Sequence, residues 1–230
     1  MPHALIAEDD SILRKQIVQA IIDRNNAVII HEAGNAEEAI NIIKRLYMDG
    51  QAMDVVITGI QMPKATGLML IAFLNAFASK VPCFVITAYG TARLKAKMPP
   101  DLLRFYEKPF DIEELAVSAL AAINRKRDMN TCGGINLHNF IYLAATDRAT
   151  ATITATRQGF SPGLFFMKNG ELIDAINGDK RGETAAVLTL SWPSSNYAID
   201  YGIPDDIERT IKTPLSKLLR IVNECFDKVL

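Results

Sequence analysis

Asp54-Val55-Val56-Ile57-Thr58-Gly59-Ile60-Gln61-Met62-Pro63 reads as one buried strand running into a turn. Asp54 to Thr58 carries a continuous β-branched run, as in strands covered on both faces, and Gly59, Pro63 and Gly67 punctuate the segment after it. Four further short apolar runs have the same character: Ala4 to Ala7, Val28 to His31, Cys83 to Thr87 and Leu103 to Tyr106. Between them Ile12, Ile17, Ile21 and Ile22, then Ala39, Ile42, Ile43 and Leu46, recur at the spacing of buried helix faces. Strand and helix signals alternate from residue 1 to 125, which predicts a parallel sheet covered by helices on both sides. In such open sheets the binding crevice lies at the carboxyl ends of the strands, so Glu8, Asp9, Gly59, Thr87 and Lys108 are expected to gather there.

Taken singly, these residues have plain structural readings. Asp10 or Ser11 is a good N-cap for the helix that starts near Ile12, and acids there suit the helix dipole. Thr87 is a strand-end hydroxyl, and Lys108 before Pro109 is a solvated loop charge.

The set is more informative than its parts. Glu8-Asp9-Asp10 after the first run, Gly59-Ile60-Gln61-Met62-Pro63 with Gly67, Thr87-Ala88 after the fourth run, and Lys108-Pro109-Phe110 after Phe105-Tyr106 stand in the order and near the spacing of a response-regulator receiver domain. Residues 1–125 therefore resemble a two-component receiver, which implies a flavodoxin-like (βα)5 doubly wound parallel sheet and signalling partners such as a histidine kinase. The resemblance also implies roles. Glu8, Asp9 and the backbone carbonyl of Gln61 would hold Mg²⁺, a hard cation that takes oxygen ligands. Thr87 and Lys108 would bind a phosphoryl group. Phe105 stands where receivers carry the aromatic that changes rotamer on activation.

Gly59 departs from that pattern. Receivers carry there the aspartate that forms the acyl phosphate, and glycine supplies neither nucleophile nor metal-ligating carboxylate. The expectation is a pseudo-receiver, not phosphorylated at the usual place, with a weakened Mg²⁺ site. Asp54 cannot substitute, because five extended residues put it about 16 Å away with its side chain on the opposite face. An ordinary phosphoacceptor seen in an aspartate-to-glycine form is the alternative that retention of Glu8, Asp9, Thr87 and Lys108 keeps open. A second departure is Met98-Pro99-Pro100, where prolines end a helix before the fifth strand.

Residues 126–134 turn polar and then Gly-rich, through Arg127-Asp128-Met129-Asn130-Thr131-Cys132-Gly133-Gly134, and read as a linker. Residues 135–230 have a different organisation, that of a smaller α+β domain. A helix is expected over Asn136 to Ala145 and a strand over Ala151 to Thr156. The runs Leu164 to Lys168 and Glu171 to Ile176 flank Asn169-Gly170, the strongest short signal for an antiparallel hairpin. Gly182 opens a helix expected to run to Trp192. Thr213-Pro214 opens the last one, whose stripe Leu215, Leu218, Leu219, Val222, Cys225, Phe226 and Val229 suits either core or a partner helix.

With Leu137-His138-Asn139-Phe140, Gly163-Leu164-Phe165-Phe166, Asn169 to Ala175, Gly182 to Ala186 and Trp192, this half resembles the PATAN-type domain found beside receivers. That implies an interaction module, since the shared residues are turn and packing residues. A catalytic output would have to be sought at Glu171, Asp174 or His138.

Charge excludes one class of partner. Residues 1–126 hold 14 of the 25 Lys and Arg and 14 of the 26 Asp and Glu, so neither half has the basic excess that nucleic-acid binding requires. Cys83, Cys132 and Cys225 are odd in number and widely spaced, which argues against a disulfide framework or thiolate metal site. With no leader-like or membrane-spanning run, the reading is a cytoplasmic chain without membrane contact. Homodimerisation through the receiver face or the last helix is left open.

Overall fold

A computed structural model describes residues 1–63, 66–88, 103–126, 136–192 and 195–226. The chain forms two compact units, Met1–Ile135 and Asn136–Leu230.

In the first unit β1 (His3–Ala7), β2 (Ile29–Ala33), β3 (Val55–Gly59), β4 (Cys83–Thr87) and β5 (Leu103–Glu107) form one parallel sheet in the order β2-β1-β3-β4-β5. Every residue of β1, β3 and β4 is buried, as the apolar runs required. One face is covered by α1 (Ser11–Arg24) and α4 (Ile112–Lys126), whose Ile17, Ile21, Leu115, Ala119 and Ile123 pack on Ala4, Ile6, Val55, Ile57, Phe84 and Tyr106. The other face meets α2 (Ala36–Met48) and α3 (Gly67–Phe77). This is the flavodoxin-like doubly wound arrangement. Each of the first two helices starts from a side chain that caps it: Asp10 accepts from the Ile12 and Leu13 amides, and Asn35 from that of Glu38. Ile12 and Ile22, expected on the buried face of α1, are exposed; Ile12 lies in the first turn, where its amide donates to the capping Asp10.

The second unit is built on an antiparallel sheet of order β10-β6-β7-β8-β9, with β6 (Ala151–Thr156), β7 (Gly163–Lys168), β8 (Glu171–Asn177), β9 (Lys180–Arg181) and β10 (Asn196–Tyr201). Asn169 and Gly170, at φ 51° and 83°, make the β7–β8 turn, the two positive values a type I′ turn needs. α5 (Leu137–Thr146) contributes Phe140, stacked on Tyr197 with ring centroids 4.3 Å apart. α6 (Glu183–Leu190) packs on β8 and on α7 (Leu215–Phe226), where Leu218, Leu219 and Val222 are buried, so the described part of that stripe is core. α6 ends at Leu190, two residues before Trp192. Met98-Pro99-Pro100, Cys132, Val229 and all of the expected linker except Lys126 lie outside the described residues, as do the side chains of Cys225 and Phe226. Among the described residues, no helix is long and apolar enough to cross a membrane.

Candidate functional site

The sheet order reverses between β1 and β3, and in doubly wound folds that switch point opens a crevice at the carboxyl ends of the strands. Glu8 leaves β1 on one side of it and Gly59 ends β3 on the other. The Glu8 backbone is held twice: its amide donates to the Ala33 carbonyl at 3.1 Å, and its own carbonyl accepts from Arg14 Nη1 at 2.5 Å. Arg14 is in turn fixed by Glu32, which accepts from its Nε at 3.0 Å. The Glu8 side chain is therefore aimed inward, and the residue is 1% exposed.

Its two carboxylate oxygens have different surroundings. Oε1 accepts from Lys108 Nζ at 3.0 Å, while Oε2 is buried with no hydrogen-bond partner. Burial pushes the Glu8 carboxyl above the ordinary carboxylate range, and the hydrogen bond and charge of Lys108 oppose that push. A Cβ placed on Gly59 would lie 2.8 Å from Oε2 and 3.5 Å from Cδ of Glu8. The carboxylate of residue 8 thus lies against the place where a side chain at residue 59 would begin.

The backbone beside Gly59 is closely packed. The Gly59 carbonyl accepts from Thr58 Oγ1 at 2.9 Å, and the Gly67 amide donates to the Ile60 carbonyl at 2.8 Å, drawing the start of α3 against β3. A Cβ on Gly67 would come within 2.0 Å of the Gly59 carbonyl oxygen, so this close approach needs glycine. Thr87 ends β4, buried, and its carbonyl accepts from the Lys108 amide at 2.8 Å. The Lys108-Pro109 peptide is cis. Phe105 is buried in β5 opposite Val85, on the sheet face that also carries Thr58 and Thr87. Asp9 and Gln61 are exposed at the rim. Asp54 is at the other end of the sheet, where its Oδ2 accepts from the His3 amide at 2.8 Å.

The strand ends thus bring Glu8, Gly59, Thr87 and Lys108 together, with Phe105 one turn of pleat behind them. Sequence reasoning missed the Glu8–Lys108 pair and the approach of Oε2 to residue 59. A signal for it did exist: the longer acid at position 8, one methylene more than Asp9, opposite a residue without a side chain.

The response regulator receiver domain matches residues 4–120. The chain belongs to the response regulator receiver family. It is 30% identical over 130 residues to an uncharacterized response regulatory protein of Vibrio cholerae, covering 56% of this chain and 52% of that one, so it spans about half of that relative's length. A probable transcriptional regulatory protein of Picosynechococcus is 26% identical over 221 residues, 87% of this chain and 86% of its own. Among solved structures, a CheY-like receiver from Methanospirillum hungatei aligns over 56% of this chain and 98% of its own, with a TM-score of 0.44 at 15% identity.

Receiver domains of this family generally bind Mg²⁺, and the donors here fit it poorly. No group of three or more His, Cys, Asp or Glu suited to a metal ion occurs among the described residues. Of the two acids at the site, Glu8 is already paired with an ammonium group, which sets a positive charge beside any cation that would approach its second oxygen.

Proposed function

We propose that this chain is a regulator of two-component signalling whose receiver does not take a phosphoryl group at the usual place, and whose residues 135–230 act as a PATAN-like output through protein contacts. The carrying observation is Gly59 with the Glu8 carboxylate against it: the position that would supply the nucleophile has no side chain, and the nearest acid is engaged with Lys108. Thr87, Lys108 and Phe105 remain as the phosphoryl-binding and switch set that the family pattern assigns, now serving a pocket set by its own residues. Glu8, Asp9 and the Gln61 carbonyl are the donors Mg²⁺ would use, and binding should be weak.

The second unit supports an interaction role. Asp174, fully buried, accepts from Arg181 Nε at 2.8 Å and from the Thr210 hydroxyl, as a structural tie does. Glu171 pairs with Arg209 at the surface. The charge balance speaks against nucleic acid, so output by contact with signalling proteins, in the cytoplasm and with a histidine kinase or another regulator as partner, is the reading these features favour.

Intact-mass spectrometry after acetyl phosphate and Mg²⁺ treatment of this chain and of Gly59→Asp tests it. Labelling of the variant alone supports a competent pocket silenced at residue 59, and it is also what an ordinary regulator in an aspartate-to-glycine form would give. Labelling of this chain refutes the proposal. Labelling of neither supports a scaffold with wider loss of the chemistry.

A further inference from the structure

We infer that the β6–β7 turn of the second unit is a protein-docking surface made by Phe160 and Arg157 beside Trp192, and that it fits a peptide segment carrying a carboxylate next to a large apolar side chain. The inference rests on the reading of residues 135–230 as an output through protein contacts, and it names the surface and the chemistry of the partner.

The turn is shaped by its own residues. Thr156 pairs with Asn196 and Ala155 with Gly163, so the β6–β7 turn and the chain entering β10 lie at one end of the antiparallel sheet. The Phe160 amide donates to the Arg157 carbonyl at 3.2 Å, and Gly159, at φ 83°, takes the third position of that turn, which requires a left-handed residue. This brings the Arg157 guanidinium over the Phe160 ring, 4.6 Å from its centroid. The Gly163 backbone lies close against Thr189 of α6, and the Thr189 carbonyl accepts from the Trp192 amide at 3.2 Å. The indole is thereby set beside Phe160, with ring centroids 5.7 Å apart.

Three features of this cluster do nothing for the unit itself. Phe160 keeps 53% of its surface exposed. Arg157 lies over a ring and has no carboxylate partner among the described residues, whereas Arg181 and Arg209 are paired with Asp174 and Glu171. Trp192 is 7% exposed, and its Nε1 is buried without a hydrogen-bond partner, although a buried indole N–H ordinarily finds an acceptor. One partner answers all three. Its apolar side chain covers Phe160, its carboxylate pairs with the free fork of Arg157, and, as the Phe160 ring turns aside, a main-chain carbonyl accepts from the indole. Trp, Arg and aromatic anchors are what interface hot spots are made of, and the turn and ring contacts hold two of them in place before binding. Rings and a guanidinium would also suit a stacked base, but the chain has no basic excess to hold a phosphate backbone, which favours a peptide.

The test uses the full chain, labelled with nitrogen-15, and two pools of short acetylated and amidated peptides. One pool has glutamates flanking a fixed phenylalanine or leucine; the other has lysines in their place. Trp192 is the single tryptophan, so the indole N–H signal and the fluorescence report this site alone. The acidic pool at millimolar concentration should move the indole signal, and the lysine pool should not. Arg157→Gln and Phe160→Ala should each weaken that response about tenfold, as loss of a hot-spot residue does. Phe77→Ser, at an exposed aromatic of the first unit, should leave it unchanged. Arg157→Glu should turn the preference toward the lysine pool, a result that mere loss of stability does not produce. An unmoved indole signal, equal response to both pools, or undiminished binding in Arg157→Gln and Phe160→Ala overturns the inference. A stronger response to oligothymidylate overturns it too, by making the surface a base-stacking site. Turnover lost on changing Glu171 or His138 would instead remove the reading of a contact output, and the titration would still report whether this surface binds.

Discussion

Replacing Gly67 by alanine probes the packing on which the whole pocket depends. Its new Cβ would meet the Gly59 carbonyl oxygen at 2.0 Å and the Gly59 carbonyl carbon and Ile60 Cα at 3.0 Å, all backbone atoms that cannot swing aside. Relief requires the start of α3 to move off β3, which stretches the 2.8 Å bond from the Gly67 amide to the Ile60 carbonyl. Overpacking of this kind costs up to about 3 kcal/mol and a weakened hydrogen bond about 1 kcal/mol more, while the better helix propensity of alanine returns roughly 1 kcal/mol. The net is a loss of about 3 kcal/mol. With a slope near 2 kcal/mol per molar urea, the midpoint of the first unit should fall by about 1.5 M. Far-UV circular dichroism would follow that transition, and fluorescence of Trp192, the single tryptophan, would follow the second unit, whose midpoint should not move. A midpoint of the first unit within about 0.3 M of the parent would refute the reasoning, because the close approach of residues 59 and 67 could not then be what the structure describes.

Other perturbations separate packing from charge. Burial, and behind it the charge of His3, holds the His31 imidazole below its ordinary value of 6.5, and the two rings stack with nitrogens 2.9 Å apart. Since the folded state binds the proton less well than the unfolded chain, this contribution is complete above 6.5 and is lost as pH falls toward the depressed folded value; urea midpoints between neutral and mildly acid pH should show it, and His31→Asn should remove that part of the slope. A Cβ on Gly163 would come 2.3 Å from Cγ2 and 2.7 Å from Oγ1 of Thr189, so Gly163→Ala should cost about 2 kcal/mol by thermal unfolding and much less in a Thr189→Ala background. Equal losses in both would show that the contact is not the cause. Burial pushes the Cys83 thiol up to about 12, and the residue is 5% exposed, so mass-mapped iodoacetamide labelling at neutral pH should modify it only after unfolding.

Local pattern along the chain encoded much of the fold. The apolar runs ending at Ala7, Thr58 and Thr87 marked β1, β3 and β4 because strands buried on both faces leave no alternation to misread, and residue spacing marked the helices between them. Asn169-Gly170 announced the β7–β8 turn because few residues tolerate two successive positive φ values. The edge strand β10 was missed: in Asn196-Tyr197-Ala198-Ile199-Asp200-Tyr201 only Tyr197 and Ile199 point inward, and pairing with β6 along one side, which no short window records, makes it a strand. The site divided in the same way. Its members Glu8, Gly59, Thr87 and Lys108 were legible as strand-end residues in a doubly wound order. The partner of Glu8 was not, since contact with an ammonium group from 100 residues away is made by reach and burial in three dimensions. Sequence alone determined that position 59 lacks a nucleophile; only the packing of β1 beside β3 decided that the carboxylate of Glu8 lies against it, because a buried charge settles on the nearest opposite charge that the fold supplies.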